Sequence, residues 1–167
     1  MKKTFLVLVL AMSLITCPVF AAGEPITEAQ KKSIVTNCDS IIEKLNSLQH
    51  EDSRARVYLG RYYETIQTKF ITPLNVRLAE NTLSSDGFVK NQNDFSKARA
   101  SFMIDFVESQ KALDDLIATD CKNEPEKFYE KLEVARKKRE VVAKEVSNIR
   151  ILIKDHANLV KKLGEKL

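Results

Sequence analysis

From Glu126 to Leu167 the apolar residues recur in steps of four and three: Phe128, Leu132, Ala135, Val142, Val146, Ile149, Ile153, Val160, Leu163 and Leu167. Within this stretch no glycine precedes Gly164, and no proline follows Pro125. A 4-3 repeat held this long predicts one uninterrupted helix, about 60 Å in length, whose stripe meets other helices at coiled-coil-like angles. Two positions on the ladder, Arg139 and His156, are polar. So long a helix cannot bury its stripe alone, so the preceding chain must supply its partners.

A matching ladder runs Ile34, Cys38, Ile41, Leu45, Leu48, Asp52, Ala55, Leu59, Tyr62 and Ile66. Thr27-Glu28-Ala29-Gln30 is a capping box that predicts a helix start at Glu28. Asp52 is the polar breach. With no Gly or Pro beside it, continuity is favoured over a new helix capped by Asp52 or Ser53. Pro73 is the first real interruption, since its ring clashes with the carbonyl four residues back and it carries no N–H. Thr72 is placed to cap a fresh segment there, while Leu74, Leu78 and Leu83 continue the helical period. Ser84-Ser85-Asp86-Gly87 reads as the clearest turn. A second ladder follows through Phe88, Phe95, Phe102, Phe106, Leu113 and Leu116. The polar run Val89–Asp94 allows its helix to start as late as Asp94. Asn123 is the expected cap of the last helix, with Pro125 in its first turn.

Short connections force antiparallel neighbours. The expected fold is therefore all-α: an elongated antiparallel three-helix bundle, up-down-up, over a single domain of residues 22–167. Its helices are expected at about 28–72, with a continuation at 73–83, then 88–118 and 124–166. The scarcity of punctuation, with four glycines and four prolines, suits long helices better than a many-stranded sheet.

The first residues read as a secretory signal rather than as part of the fold. Lys2 and Lys3 precede an apolar run from Phe5 to Ile15, and Val19-Phe20-Ala21 offers a cleavage site after residue 21 or 22. About eleven apolar residues fall short of the ~20 that span a bilayer. The expected location is exported, periplasmic or secreted. Leu14-Ile15-Thr16-Cys17 resembles a lipoprotein box, which makes anchoring through Cys17 the minor alternative.

Export changes the reading of the cysteines. Beyond Cys17 there remain Cys38 and Cys121, an even pair that predicts a disulfide, with free thiols or an intermolecular bridge as the rivals. Were the first helix straight to Leu83 and the second to begin at Phe88, Cys121 would face His50. That is twelve residues, about 18 Å, from Cys38. The bond fits if the straight run ends near Pro73 and Leu74–Leu83 folds across the tip.

Cys38, the Tyr58/Tyr62/Tyr63 group, Phe102, Phe106, Asp120-Cys121 and Phe128 through Ala135-Arg136 give the chain a resemblance to a loose class of uncharacterised exported bacterial proteins. These are elongated helical bundles with one cysteine early in the first helix and another just past the second. The resemblance implies the fold and brings no activity with it.

No catalytic or metal-ligating pattern stands out, so the chain is not expected to be an enzyme or to carry a cofactor. His50 and His156 fall on different helices, without an H-E-x-x-H, G-x-S-x-G or phosphate-loop motif. Charge offers more. Without Lys2 and Lys3 the 27 basic residues fall to 25 against 23 acids, about +2. From Lys122 onward there are 13 basic and 8 acidic residues, a net of +5. Arg136, Lys137, Lys138, Arg139, Lys144 and Arg150 are the candidate anion-binding residues, suited to an anionic envelope polymer or lipid headgroups. Nucleic acid is not expected of an exported protein with no aromatics interleaved on this stretch. The leading expectation is an interaction, scaffold or chaperone-like module meeting another envelope protein, its oligomeric state open. The aromatics could line a cleft, although at helical spacing they more often form core.

Overall fold

Residues 26–165 are described by a computed structural model. The stretch read as a signal, with Cys17 and the cleavage site, lies outside them. Helix α1 spans Glu28–Ile66, a π turn follows at Gln67–Ile71, and α2 continues over Thr72–Glu80. Helix α3 spans Asp86–Ile117 and α4 spans Pro125–Gly164. Since α1, the π turn and α2 follow without a break, the chain makes three rods, up, down and up, in an all-α antiparallel bundle. The α3–α4 pair is the most closely packed, and α1 lies against it.

Helix α1 starts where the capping box puts it. The Gln30 amide donates to Thr27 Oγ1 at 3.2 Å, and the Thr27 amide donates to Gln30 Oε1 at 2.8 Å. The helix runs through Asp52 and Ser53 unbroken. Ser53 Oγ donates back to the Gln49 carbonyl at 2.9 Å, so it is satisfied inside the helix and does not cap a new one.

Pro73 neither breaks the rod nor opens a segment across the tip, which corrects the expectation above. The π turn accommodates it. The Thr72 amide bonds the carbonyl of Gln67, five residues back, and this wider turn gives the proline ring room that an α turn would deny. The inserted residue also moves the buried stripe on by one position. The inward series goes from Tyr63 to Ile71, Asn75 and Leu78, while Phe70, due by the 4-3 count, points to solvent.

The hairpin that follows turns earlier than the sequence suggested. The turn occupies Asn81–Ser85, with Thr82 in the left-handed region at φ 52° and the Leu83 amide donating to the Leu78 carbonyl at 3.0 Å. Asp86 and Gly87 already belong to α3. That helix begins well before Asp94, because Phe88 and Asn91 on its first turns are buried against partners. At the far connection Asp120, not Asn123, organises the turn. Its Oδ1 accepts from the amides of Lys122 and Asn123 at 2.9 and 3.1 Å, and the side chain of Asn123 donates to its Oδ2 at 2.7 Å.

Cys38 and Cys121 are bonded within the chain, with Cα atoms 5.7 Å apart. Gln49–Asp114, Ser53–Gln110 and Gln67–Ser96 share one antiparallel register, which would set Cys121 opposite Ile42. That leaves four residues, about 6 Å at helical rise, to reach Cys38. Helix α3 ends at Ile117, and the irregular residues after it cover the distance. The bond therefore needs no break at Pro73.

Two apolar clusters form the core. One, at the disulfide end, gathers Ile34, Cys38, Leu113, Leu116, Cys121 and Phe128. The other gathers Tyr63, Ile71, Phe95, Phe102, Phe106 and Ile149, with Tyr63 edge-on to Phe102 at a centroid separation of 5.4 Å.

Candidate functional site

Between the two clusters the seam is polar, and the polar positions on the sequence ladders account for it. Asp52, the breach in the first ladder, accepts from Arg139, the breach in the third, at 3.0 Å. The two are 87 residues apart in sequence. Burial pushes the Asp52 carboxyl up, Arg139 draws it down, and Glu51 adds a smaller upward push. A cavity of about 70 Å³ adjoins the pair, lined by Leu45, Leu48, Leu113 and Leu132 among others.

The contact of α1 and α2 with α3 continues in the same polar vein. Gln110 donates to Ser53 Oγ at 3.0 Å and accepts from Arg56 at 3.2 Å. Gln67 donates to Ser96 Oγ at 2.8 Å and accepts from Arg99 at 2.8 Å. Asn75 donates to Gln92 and to the Phe88 carbonyl, and its Oδ1 is buried without a partner. This row of amides and hydroxyls sets orientation and register more than affinity, since each such bond is worth only about 1 kcal/mol net.

His156, a polar position on the ladder of α4, is buried, with Nδ1 3.2 Å from Asn91 Oδ1 and its ring edge-on to Phe88. Asn91 Nδ2 is committed to the Leu152 carbonyl at 3.0 Å, which presents its Oδ1 to the imidazole. The imidazole therefore donates from Nδ1. Burial holds the His156 pKa below the ordinary imidazole value.

The six cations proposed for anion binding do not converge. Arg136 pairs with Glu133 at 2.6 Å, Lys138 with Glu108, and Arg139 with Asp52. Lys137, Lys144 and Arg150 are exposed. Burial holds the Tyr63 phenol pKa above its ordinary value, and Arg150 lies close enough to oppose part of that rise. Successive residues on a helix point about 100° apart, so Arg136 to Arg139 fan around α4. Among the described residues no three His, Cys, Asp or Glu side chains form a metal-holding group.

The most distinctive surface is one the sequence reading did not separate from the core. On the side of α1 turned away from the bundle, His50, Arg54, Val57, Tyr58, Arg61, Tyr62 and Thr65 line a shallow strip. All are exposed, Tyr58 by 70%. The rings of Tyr58 and Tyr62 lie parallel, 6.4 Å apart. Among the described residues no second element walls this strip. The signal was present as two phases in one helix: Leu45, Leu59 and Tyr63 on the inner phase, and Val57, Tyr58 and Arg61 on the outer.

No family model, curated protein or solved structure matches the chain. Among the described residues no helix is long and apolar enough to cross a membrane.

Proposed function

We propose that the protein is a non-enzymatic interaction or scaffold module of the cell envelope, which presents the outer face of α1 to a partner. The observation behind this reading is the composition of that face. Tyrosine and arginine are the residues enriched where interfaces concentrate their binding energy, and here they sit side by side on an unwalled helix. The intrachain disulfide is compatible with an oxidising, exported location and supports placing the protein in the envelope. The bond at one end and the Asp52–Arg139 pair at mid-length hold α1 as a rigid rod, so little order is lost when its face is covered.

Site-specific photo-crosslinking in cells tests the proposal. A crosslinker replacing Tyr58 is expected to give a discrete adduct, whereas one replacing the exposed Lys144 on α4 gives none. Absence of any adduct at Tyr58, or identical adducts at both positions, overturns it.

A further inference from the structure

We propose that the outer face of α1 pairs antiparallel with the same face of a second copy of this chain. The inference rests on the interaction-face reading above and names the occupant. Asp39, Glu43, Asn46, His50, Arg54, Val57 and Arg61 recur in steps of three and four, and every one of them is exposed. They form a stripe opposite the buried one. From Asp39 to Arg61 it is about 33 Å long, a little over three heptads.

The unpaired charges along the stripe differ between its ends. Glu43 lies toward one end, beside an Asp39 that pairs with Lys122 of its own chain, and Arg54 and Arg61 lie toward the other, with Glu64 beyond them and Val57 and Tyr58 between the arginines. A two-fold axis makes residue i meet j and j meet i, so a stripe acidic at one end and basic at the other is complementary to itself when antiparallel. With the axis at the level of Asp52, Glu43 of each copy faces Arg61 of the other. Val57 and Tyr58 of each copy lie against Ser47 and Asn46 of the other. A parallel pair would set arginine on arginine.

Four arginines elsewhere in the bundle are occupied, Arg56 by Gln110, Arg99 by Gln67, Arg136 by Glu133 and Arg139 by Asp52, while Arg77 and Arg150 are exposed. Glu43, Arg54 and Arg61 make no side-chain bond to another described residue. They are free to engage a second copy without breaking a contact inside the first. The stripe has few apolar residues, so the dimer is weak and concentration-dependent.

Sedimentation equilibrium of the purified, disulfide-intact protein over a wide concentration range tests this. The native chain is expected to self-associate to a dimer. Arg61→Glu and Glu43→Arg each place two like-charge pairs across the axis, and each is expected to weaken the dimer about tenfold or more. Both positions are exposed, so circular dichroism should show the fold unchanged. Mixed in equal amounts, the two variants should form a heterodimer that neither forms alone, because the mixture restores opposite charges at both contacts. A native chain that stays monomeric, a dimer indifferent to Arg61→Glu, or variants that do not associate on mixing each overturns the proposal. Failure here alongside a discrete Tyr58 adduct to another protein overturns self-pairing and leaves the interaction face standing. Failure of both removes both.

Discussion

The pair formed by Asp52 and Arg139 makes a test in which the two partners should behave differently. At a charge separation of about 4 Å and an effective dielectric near 20, attraction would be worth about 4 kcal/mol. Nearly half of the Arg139 side chain is in water, 48% exposed, against 21% for Asp52, so screening reduces that figure to roughly 1 kcal/mol. The Asp52 carboxyl nevertheless sits above its ordinary pKa, with burial as the first cause. Desolvation outweighs the arginine. A carboxyl pKa raised on folding favours the protonated form, so this group's contribution to stability is present below the unfolded pKa and lost as pH rises through the folded one. At neutral pH, Arg139→Met strips the counter-charge and leaves a half-buried carboxylate unpaired, at a cost of roughly 2 kcal/mol. Asp52→Leu frees an arginine that already reaches solvent and supplies an apolar group beside the 70 Å³ cavity. Its effect should lie within about 1 kcal/mol of zero. The double variant should also be near neutral, giving a coupling of about 1–2 kcal/mol in a double-mutant cycle. Denaturant unfolding measures all four proteins. In melting temperature, Arg139→Met should lose roughly 8 °C and Asp52→Leu little. Equal losses from the two single variants, or strict additivity, would refute the reasoning.

His156, held below its ordinary pKa by burial, favours the neutral ring in the fold, so stability should fall as pH drops from about 6.5 toward the folded value. Melting temperatures at about pH 7.5 and about pH 5.5 should show that drop, and His156→Gln should remove most of it. Ile149→Asp, at a position with no exposure, should cost several kcal/mol, Val146→Asp somewhat less, and the exposed Lys144→Asp within about 0.5 kcal/mol. Equal thermal losses among the three would mean that the stripe of α4 is misassigned. The disulfide closes a separation of 83 residues, so Cys38→Ser with Cys121→Ser should lower stability by about 4–5 kcal/mol on the chain-entropy account. Peptide mass analysis under non-reducing conditions should find the two cysteines joined in the monomer, and free thiols in the native chain would contradict the bond.

Much of the bundle could be read from the sequence because its signals were local and repeated. The capping box placed Glu28, and the phenylalanine ladder marked the buried face of α3, with Phe95 and Phe102 fully enclosed. What the sequence did not yield depended on partners far away along the chain. Asp52 and Arg139 each look like a flaw in a ladder, and only the fold shows that they answer one another. His156 looks like a polar gap in its ladder until Asn91, 65 positions earlier, is brought beneath it. At Pro73 the rule that proline disrupts a helix held, but the disruption took the form of one wider turn. A 4-3 count cannot foresee that, although Ile71, Asn75 and Leu78 falling one place late is its imprint. The exposed tyrosines were missed because Tyr62 continues the ladder numerically, while Tyr63, its neighbour, is the one that packs.

Helix α1 distributes its residues differently from the other two rods. Over 39 residues it buries only Ile34, Cys38 and Tyr63, while α3, with 32, buries Phe88, Phe95, Phe102, Phe106, Leu113 and Leu116 among others. Its inner face spends much of its length on amides, hydroxyls and one ion pair, and its outer face carries Val57, Tyr58 and Tyr62 into solvent. A helix that served only to cover α3 and α4 would place those groups the other way round, because burying aromatic area stabilises and burying polar groups gives little net. The covalent bond to Cys121 offsets part of that weakness by removing freedom from the unfolded chain, without asking anything of the helix surface. The outer face is thereby released from the work of holding the bundle together. An arrangement that gives up core contacts on one side of a helix while keeping tyrosine and arginine exposed on the other is the expected result when that second side serves an interface.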